Sequence, residues 1–462
     1  MTKKVHPYIP NMVPKVKEEM LKVIGVENSM ELYSCIPEEL QLQEEMNIPK
    51  ALTEYELRRH IEGLLKKNIS TNDYINFLGA GCWQHFVPAV CDEINQRSEF
   101  LTAYAGEPYE DHGRFQSLFE YQSLLAELVD MDVVNVPTFD WGQAAATSIR
   151  MAARINGRKK VLIAATVAPE RTKIIANYGS PELEFSNIAF DLDTGLMDLD
   201  DLKSKISNEV AAIYFENPSY LGFIESQGNE ISVIAKEHDV LLVVGVDPIS
   251  LGVLAPPSHY GADIVCGDLQ PLGMHMNYSG GQAGFIATRD EETFINEFPS
   301  RLFGIVPTIK EGEYGFGDVA YERTSFAQRE KGKESVGTQT ALWGITAGVY
   351  LSLLGPEGMY ELGQTIMQNS QYTVKKLNKI AGIQGSRIVS PFFKEFIVDF
   401  NDTGISVQTI NEMLLEKKIF GGKDLSKEFP EYGQCALFCV TEVHTKEDMD
   451  CLIEALEDIV TK

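Results

Sequence analysis

The chain has 462 residues, too many for one small core and enough for a large domain with a smaller companion. Hydrophobic residues at 44% and charged residues at 23% are the proportions of a globular rather than a disordered protein. A formal net charge of −27 repels phosphate backbones and anionic lipid, so neither nucleic acid nor a membrane surface is expected as a partner.

The first 14 residues carry charges and prolines but no apolar h-region, so no signal peptide is expected there. No apolar run approaches the roughly 20 residues of a membrane span. Residues 1–70 form a predicted helical arm, with helical spacing over Val16–Ile24, Ile36–Glu45 and Thr53–Lys67. Thr53 and Glu56 make a capping box for the third helix. Tyr8–Ile9–Pro10 is an extended start that suits a chain lying on another polypeptide.

From residue 113 the pattern alternates. Gly113–Val129 is amphipathic, with Leu118, Tyr121, Leu125 and Leu128 on one stripe. Short apolar runs follow at Val133–Phe139, Lys160–Val167, Val210–Glu216, Val240–Asp247, Asp263–Gly267 and Gln282–Thr288. Helical segments separate most of them, which predicts an α/β domain around a mainly parallel sheet covered on both faces. Glu322–Arg329 and Gln339–Leu354 read as helices. After residue 362 come a helix to Ile380, strand Glu395–Phe400, helix Ser406–Lys417, strand Cys435–Val440 and a last helix from Lys446. The expected organisation is therefore an arm over 1–70, a large α/β domain over 71–361 and a small α+β domain over 362–462.

Seven cysteines are scattered through the chain, with no CxxC and no histidine pair beside Cys435 and Cys439. They are expected to be buried thiols in a reducing cytoplasm, and no metal site is expected.

Open parallel sheets bind ligands at the carboxyl ends of their strands. Asp247 ends one predicted strand, Gly267–Asp268 ends the next, and a Gly-rich stretch Ser279–Gly284 follows. In pyridoxal-phosphate enzymes of this layout an aspartate at the first position pairs with the pyridine nitrogen. A lysine just beyond the second forms the Schiff base. Here no lysine occurs between Lys236 and Lys310, and Gln270 stands where that lysine is expected. A carboxamide cannot form an imine, so covalent catalysis through this position is excluded. On the residues alone two readings stay level: a cofactor site that has lost its tether, or an Asp247 that only bonds nearby backbone. Trp141–Ala144 opens a helix where a phosphate could dock, although a structural helix start is favoured. Asn217–Pro218 is weighted toward a structural turn.

A series of segments resembles the glycine cleavage system P-protein family, in particular its α subunit where two chains share the work. The series runs through Tyr8–Pro10, Ile36–Leu40, Leu52–Leu57, Phe77–Gly81 with His85 and Pro88–Val90, and Gln116–Gln122. It continues with Asp247–Pro248, Gly261–Val265, Gln270–Gly273, Gln328–Lys331, Val440–Glu442 and Thr445–Asp448. The resemblance implies a pyridoxal-phosphate fold-type-I-like sheet domain and an α₂β₂ assembly. The cofactor is then held by a lysine-bearing β subunit, and Asp247 is vestigial in this chain. It also implies decarboxylation of glycine, with the cofactor ring as electron sink, and transfer of the aminomethyl group to the lipoyl arm of the H-protein. This chain would have no catalytic residue of its own.

Two segments align with family stretches expected to reach the partner's cavity. The first contributes Tyr104, Glu107, Pro108 and Tyr109, the second Ser335, Thr338 and Gln339. Both depart from the family pattern, as does the stretch 270–281, which gains a residue and His275. These departures keep two alternatives open: an α-type subunit acting on another small amine, or a binding or regulatory protein on a retired pyridoxal-phosphate fold. His112 and His275 are expected to be solvated or structurally bonded histidines rather than catalytic ones.

Overall fold

The computed structural model describes residue 5 and residues 8–461, apart from 43, 45, 102–113, 300 and 335–339. The chain divides into two compact units, 1–69 and 70–462.

Within the first unit, helices span Pro14–Ile24 and Glu54–Leu65. The capping box is formed: Glu56 N–H donates to Thr53 Oγ1 at 3.3 Å and Thr53 N–H to Glu56 Oε2 at 2.9 Å. Among the described residues of the helix expected over Ile36–Glu45 there is only a 3₁₀ turn, Glu38–Leu40, entered from Pro37. None of the described residues of this unit is buried.

The second unit is built on a seven-stranded sheet. Its strands are β1 (Val133–Val134), β2 (Lys160–Ala164), β3 (Glu184–Ile188), β4 (Val210–Glu216), β5 (Leu241–Val246), β6 (Ile264–Asp268) and β7 (Gly284–Thr288). They lie in the order β1-β7-β6-β5-β4-β2-β3. β2 to β6 run parallel, while β7 is antiparallel to both β6 and β1. Every residue of β4, β6 and β7 is buried, which is why these strands are continuous apolar runs rather than alternating ones. β3 escaped the sequence reading because it is the edge strand, half exposed and spelled Glu-Phe-Ser-Asn-Ile. β1 is shorter than expected because the chain leaves the ladder before Pro137 and touches it again only at Thr138, opposite Gly284.

Among the helices, α1 (Phe115–Val129) and α2 (Trp141–Asn156) matter most to the site. Alanines 144, 145, 146 and 152 bring α2 close to the sheet, and Asp140 caps it by accepting from Gln143 N–H at 2.7 Å. The expected helix over Glu322–Arg329 is instead two 3₁₀ turns, Tyr321–Arg323 and Arg329–Lys331. A hairpin of β8 (Phe303–Pro307) and β9 (Tyr314–Asp318) was not anticipated. α3 (Ala341–Leu377) is two helical segments meeting at a break at Gly355 (φ 60°, ψ −175°), just before Pro356. The first ends at Leu354 as expected, and the second begins earlier than residue 362. The C-terminal stretch forms an antiparallel sheet of β10 (Glu395–Asp399), β11 (Lys423–Asp424) and β12 (Cys435–Cys439), ordered β10-β12-β11, with α4 (Val407–Glu416) and α5 (Lys446–Val460). Phe396, Val398, Phe438 and Leu452 belong to its core cluster. Cys35, in the first unit where no described residue is buried, and Cys451, on the solvent side of α5, are exposed rather than buried as expected.

Candidate functional site

Asp247 follows β5 directly, and its side chain caps the next turn by accepting from Ile249 N–H at 3.1 Å. Its other oxygen faces the Lys394 ammonium at 2.7 Å, an ion pair without hydrogen-bond alignment. Both residues are 3% exposed, so the pair is out of reach of solvent. Lys394 immediately precedes β10. Its Nζ also lies 3.7 Å from the Trp83 ring centre and 3.1 Å from His85 Nε2. An ammonium can only donate, so His85 Nε2 accepts here, and the proton on Nδ1 is given to Glu442 Oε2 at 2.9 Å. Glu442 Oε1 accepts from Phe86 N–H at 2.7 Å, which ends the chain of buried polar contacts.

The loop Gly79–Gly81 places Trp83. Ala80 (φ 62°) and Gly81 (φ 106°) are both left-handed, and a methyl at Gly79 would strike Glu395 Oε1 and the Cys439 side chain. Ala80 N–H donates to Glu395 Oε1 at 2.6 Å, while burial pushes the Glu395 carboxyl up. The Gly-Ala-Gly run therefore seats a loop against β10.

Gln270 lies two residues beyond β6 and is 1% exposed. Its amide accepts from Trp83 N–H at 3.1 Å and donates to Trp83 O at 2.9 Å and Met274 O at 3.1 Å. All of this bonding is to backbone. Asp268 accepts from the backbone N–H groups of Gln270 (2.8 Å), Ala283 (3.3 Å) and Trp141 (3.3 Å). Burial nevertheless pushes its carboxyl up to about 7, against those three donors.

The other side of the site is made by Trp141 at the start of α2 and Arg171. The two indoles lie 6.4 Å apart, and the Arg171 guanidinium sits 4.1 Å over the Trp141 ring. Arg171 is held by Glu216 at the end of β4, at 2.5 and 2.8 Å, and Tyr214 OH donates to the same carboxylate at 3.1 Å. Asn217 is tied into a turn: its Nδ2 donates to Glu225 O at 3.2 Å and its Oδ1 accepts from Glu225 N–H at 3.0 Å.

The space among Trp83, Trp141, Asp247 and Lys394 is about that of one water molecule. The Trp141 indole N–H there is buried without a hydrogen-bond partner. Outside it a cleft of about 250 Å³ by the same measure is lined by Asp140, Trp141, Glu170, Arg171, Asp268 and Lys423 among others.

The sequence-predicted residues fall into three groups. Asp247, Gln270 and the start of α2 converge on this site. Tyr104, Glu107, Pro108, Tyr109, His112, Ser335, Thr338 and Gln339 lie outside the described residues. His275 is exposed and sits 3.1 Å from Asp92. Sequence reasoning missed Lys394, Trp83, Arg171 and Glu216. For Lys394 a signal existed: Lys394–Glu395 is a charged pair inside the aromatic run Phe392–Phe396. No group of three or more His, Cys, Asp or Glu able to hold a metal occurs among the described residues.

A family model described as Glycine cleavage system P-protein matches residues 6–456. The chain belongs to that family. Among its P-protein relatives, a probable glycine dehydrogenase (decarboxylating) subunit 1 of Staphylothermus marinus is 38% identical, over 99% of each chain. A subunit of the same name from Saccharolobus islandicus is 39% identical over 98% of each. A crystal structure of glycine decarboxylase (P-protein) of the glycine cleavage system, in inhibitor-bound form, superposes with a TM-score of 0.86 at 29% identity, covering 99% of this chain and 100% of the other. More distant structures share the fold. They include a sphingosine-1-phosphate lyase of Burkholderia pseudomallei (TM-score 0.65, 14% identity, 92% and 94% covered) and a NifS-like protein (0.63, 13%, 84% and 99%). The fold is that of the fold-type-I pyridoxal-phosphate enzymes, as the family resemblance implied.

That family implies pyridoxal phosphate, and the residues present here do not fit it. The pyridine-nitrogen partner Asp247 is neutralised by a lysine, no amine stands at 270, and the space beside Asp247 would not admit a ring. Two carboxylates, Asp140 and Asp268, stand at the start of α2, where a phosphate would need donors alone.

Proposed function

We propose that the chain is the α subunit of a two-chain glycine decarboxylase. A lysine-bearing β subunit holds pyridoxal phosphate, and this chain completes the β active site without a covalent step of its own. The observation that carries this reading is Gln270, a buried carboxamide bonded wholly to backbone at the position where a tether would stand.

The reaction of the complex is decarboxylation of glycine, for which the partner's cofactor supplies the electron sink. The aminomethyl group then passes to the lipoyl arm of the H-protein. This chain contributes shape, exclusion of water and polar groups, which lower a barrier through the environment they create. We assign the contact with the β cavity to Tyr104, Glu107, Pro108 and Tyr109 and to Ser335, Thr338 and Gln339. The N-terminal unit supports a partner chain. Val16, Met20, Val23 and Ile24 on one helix, and Tyr55, Leu57, Ile61 and Leu64 on the other, are exposed, an apolar surface that suits contact with another polypeptide. We infer an α₂β₂ arrangement. We also place the protein in the cytoplasm, since all seven cysteines are unpaired and two of them, Cys35 and Cys451, are exposed. No helix among the described residues is long and apolar enough to cross a membrane.

The test is exchange of labelled bicarbonate into the carboxyl group of glycine. The chain alone should give none. Adding the lysine-bearing partner and lipoylated H-protein should restore exchange with glycine, and not with alanine or serine. Exchange by the isolated chain would refute the assignment.

A further inference from the structure

We propose that this chain's cofactor cradle is not merely untethered but closed from within: side chains fill its ring end and take up the helix donors at its phosphate end. The inference rests on the reading above, in which the partner holds the cofactor, and adds a device that closes this chain's own site.

The parts correspond by chemistry. A pyridinium N–H would meet Asp247; the Lys394 ammonium meets it instead, at 2.7 Å. An aromatic ring would lie beside that carboxylate, where the indoles of Trp83 and Trp141 now leave room for about one water molecule. A phosphate dianion would draw on the N–H groups that open α2. There Trp141 N–H donates to Asp268 at 3.3 Å and Gln143 N–H donates to Asp140 at 2.7 Å. The aldehyde end has no amine, and the Gln270 amide spends itself on Trp83 and Met274.

Lys394 is central to the closure. A lysine so deeply buried is rare unless paired, and this one is surrounded by compensation: a carboxylate, an imidazole acceptor and an indole face. Its amine lies beside Asp247, at the nitrogen end of the cradle, so it is not a displaced tether. Removing the ammonium would strand Asp247 as a buried, uncompensated charge. Removing both charges together would not.

The distinguishing probe is pyridoxine 5′-phosphate, which has the ring nitrogen and the phosphate but no aldehyde. A site lacking only its lysine would still bind this compound, whereas a filled site would not. Thermal unfolding of the full-length wild-type chain should show no shift with saturating pyridoxine 5′-phosphate. Lys394→Met should lower the midpoint by about 4–6 °C, and Asp247→Asn/Lys394→Met should regain most of that loss. A rise in the wild-type midpoint with the probe would overturn the proposal, as would additive losses in the double variant. If Lys394→Met does not fold and the double variant does, the coupling is confirmed; if neither folds, the wild-type titration decides. Either failure would leave intact the reading of an untethered α subunit, which the bicarbonate exchange tests separately.

Discussion

Gln270 shows how one side chain can change a site's chemistry and still be structurally indispensable. Its three hydrogen bonds tie the loop carrying Trp83 to the end of β6. Gln270→Leu would leave one backbone N–H and two carbonyls buried without partners. A loss of about 2–4 kcal/mol is expected by urea unfolding, and an unchanged midpoint would contradict the packing described. Asp268 makes a pH-dependent prediction. Its carboxyl lies near 7 in the folded chain against an ordinary value of 3.8. Between these values the folded state keeps a proton that the unfolded state has released. Stability from this group is therefore present below about pH 4, falls as pH rises to about 7 and is level above, an effect of up to about 4 kcal/mol. Asp268→Asn should gain on wild type progressively over that window; parallel curves would show that the carboxyl does not titrate there. At this scale the sequence was informative where residues are close along the chain. Asp247 and Gln270 lie one strand apart and could be found by counting. Lys394 could not, because it reaches Asp247 only after 147 further residues (394 minus 247) have folded back to the same strand end.

Loops and strand ends hold these side chains in register. Gly222 (φ 93°) lies against the backbone of β10, where an added methyl would strike the Glu395 carbonyl. Gly222→Ala should push away the segment that carries Lys394 and Glu395 and cost about 2–4 kcal/mol through strain and lost contacts. Calorimetry reads this directly, and a midpoint within a degree of wild type would argue against the close approach. Buried strands were readable because continuous Val/Ile/Ala runs leave few alternatives, as in β4 and β6. The edge strand β3 and the hairpin β8–β9 were not, since partly exposed strands carry mixed sequences whose pairing is decided by tertiary neighbours. The helix expected over Glu322–Arg329 failed for a related reason: its apolar spacing is compatible with helix, but the chain there settles as two separate 3₁₀ turns.

For the whole molecule, all four buried apolar clusters are drawn from Phe77 onward, and no described residue of 1–69 is buried. A chain starting at Ser70 should therefore still unfold cooperatively but lose its complex with the lysine-bearing partner on size exclusion. Retained assembly would remove the arm from the interface. Family membership was visible in the sequence because many short matches kept their order over nearly the whole length. The filled cradle was not, since it depends on three-dimensional convergence of residues 83, 141, 247 and 394. The most direct measurement is borohydride reduction of the active two-chain complex followed by peptide mass spectrometry. The predicted result is a pyridoxyl group on a lysine of the partner and none at an active-site position of this chain; a stoichiometric adduct on Lys394, or on any other buried side chain here, would contradict the account.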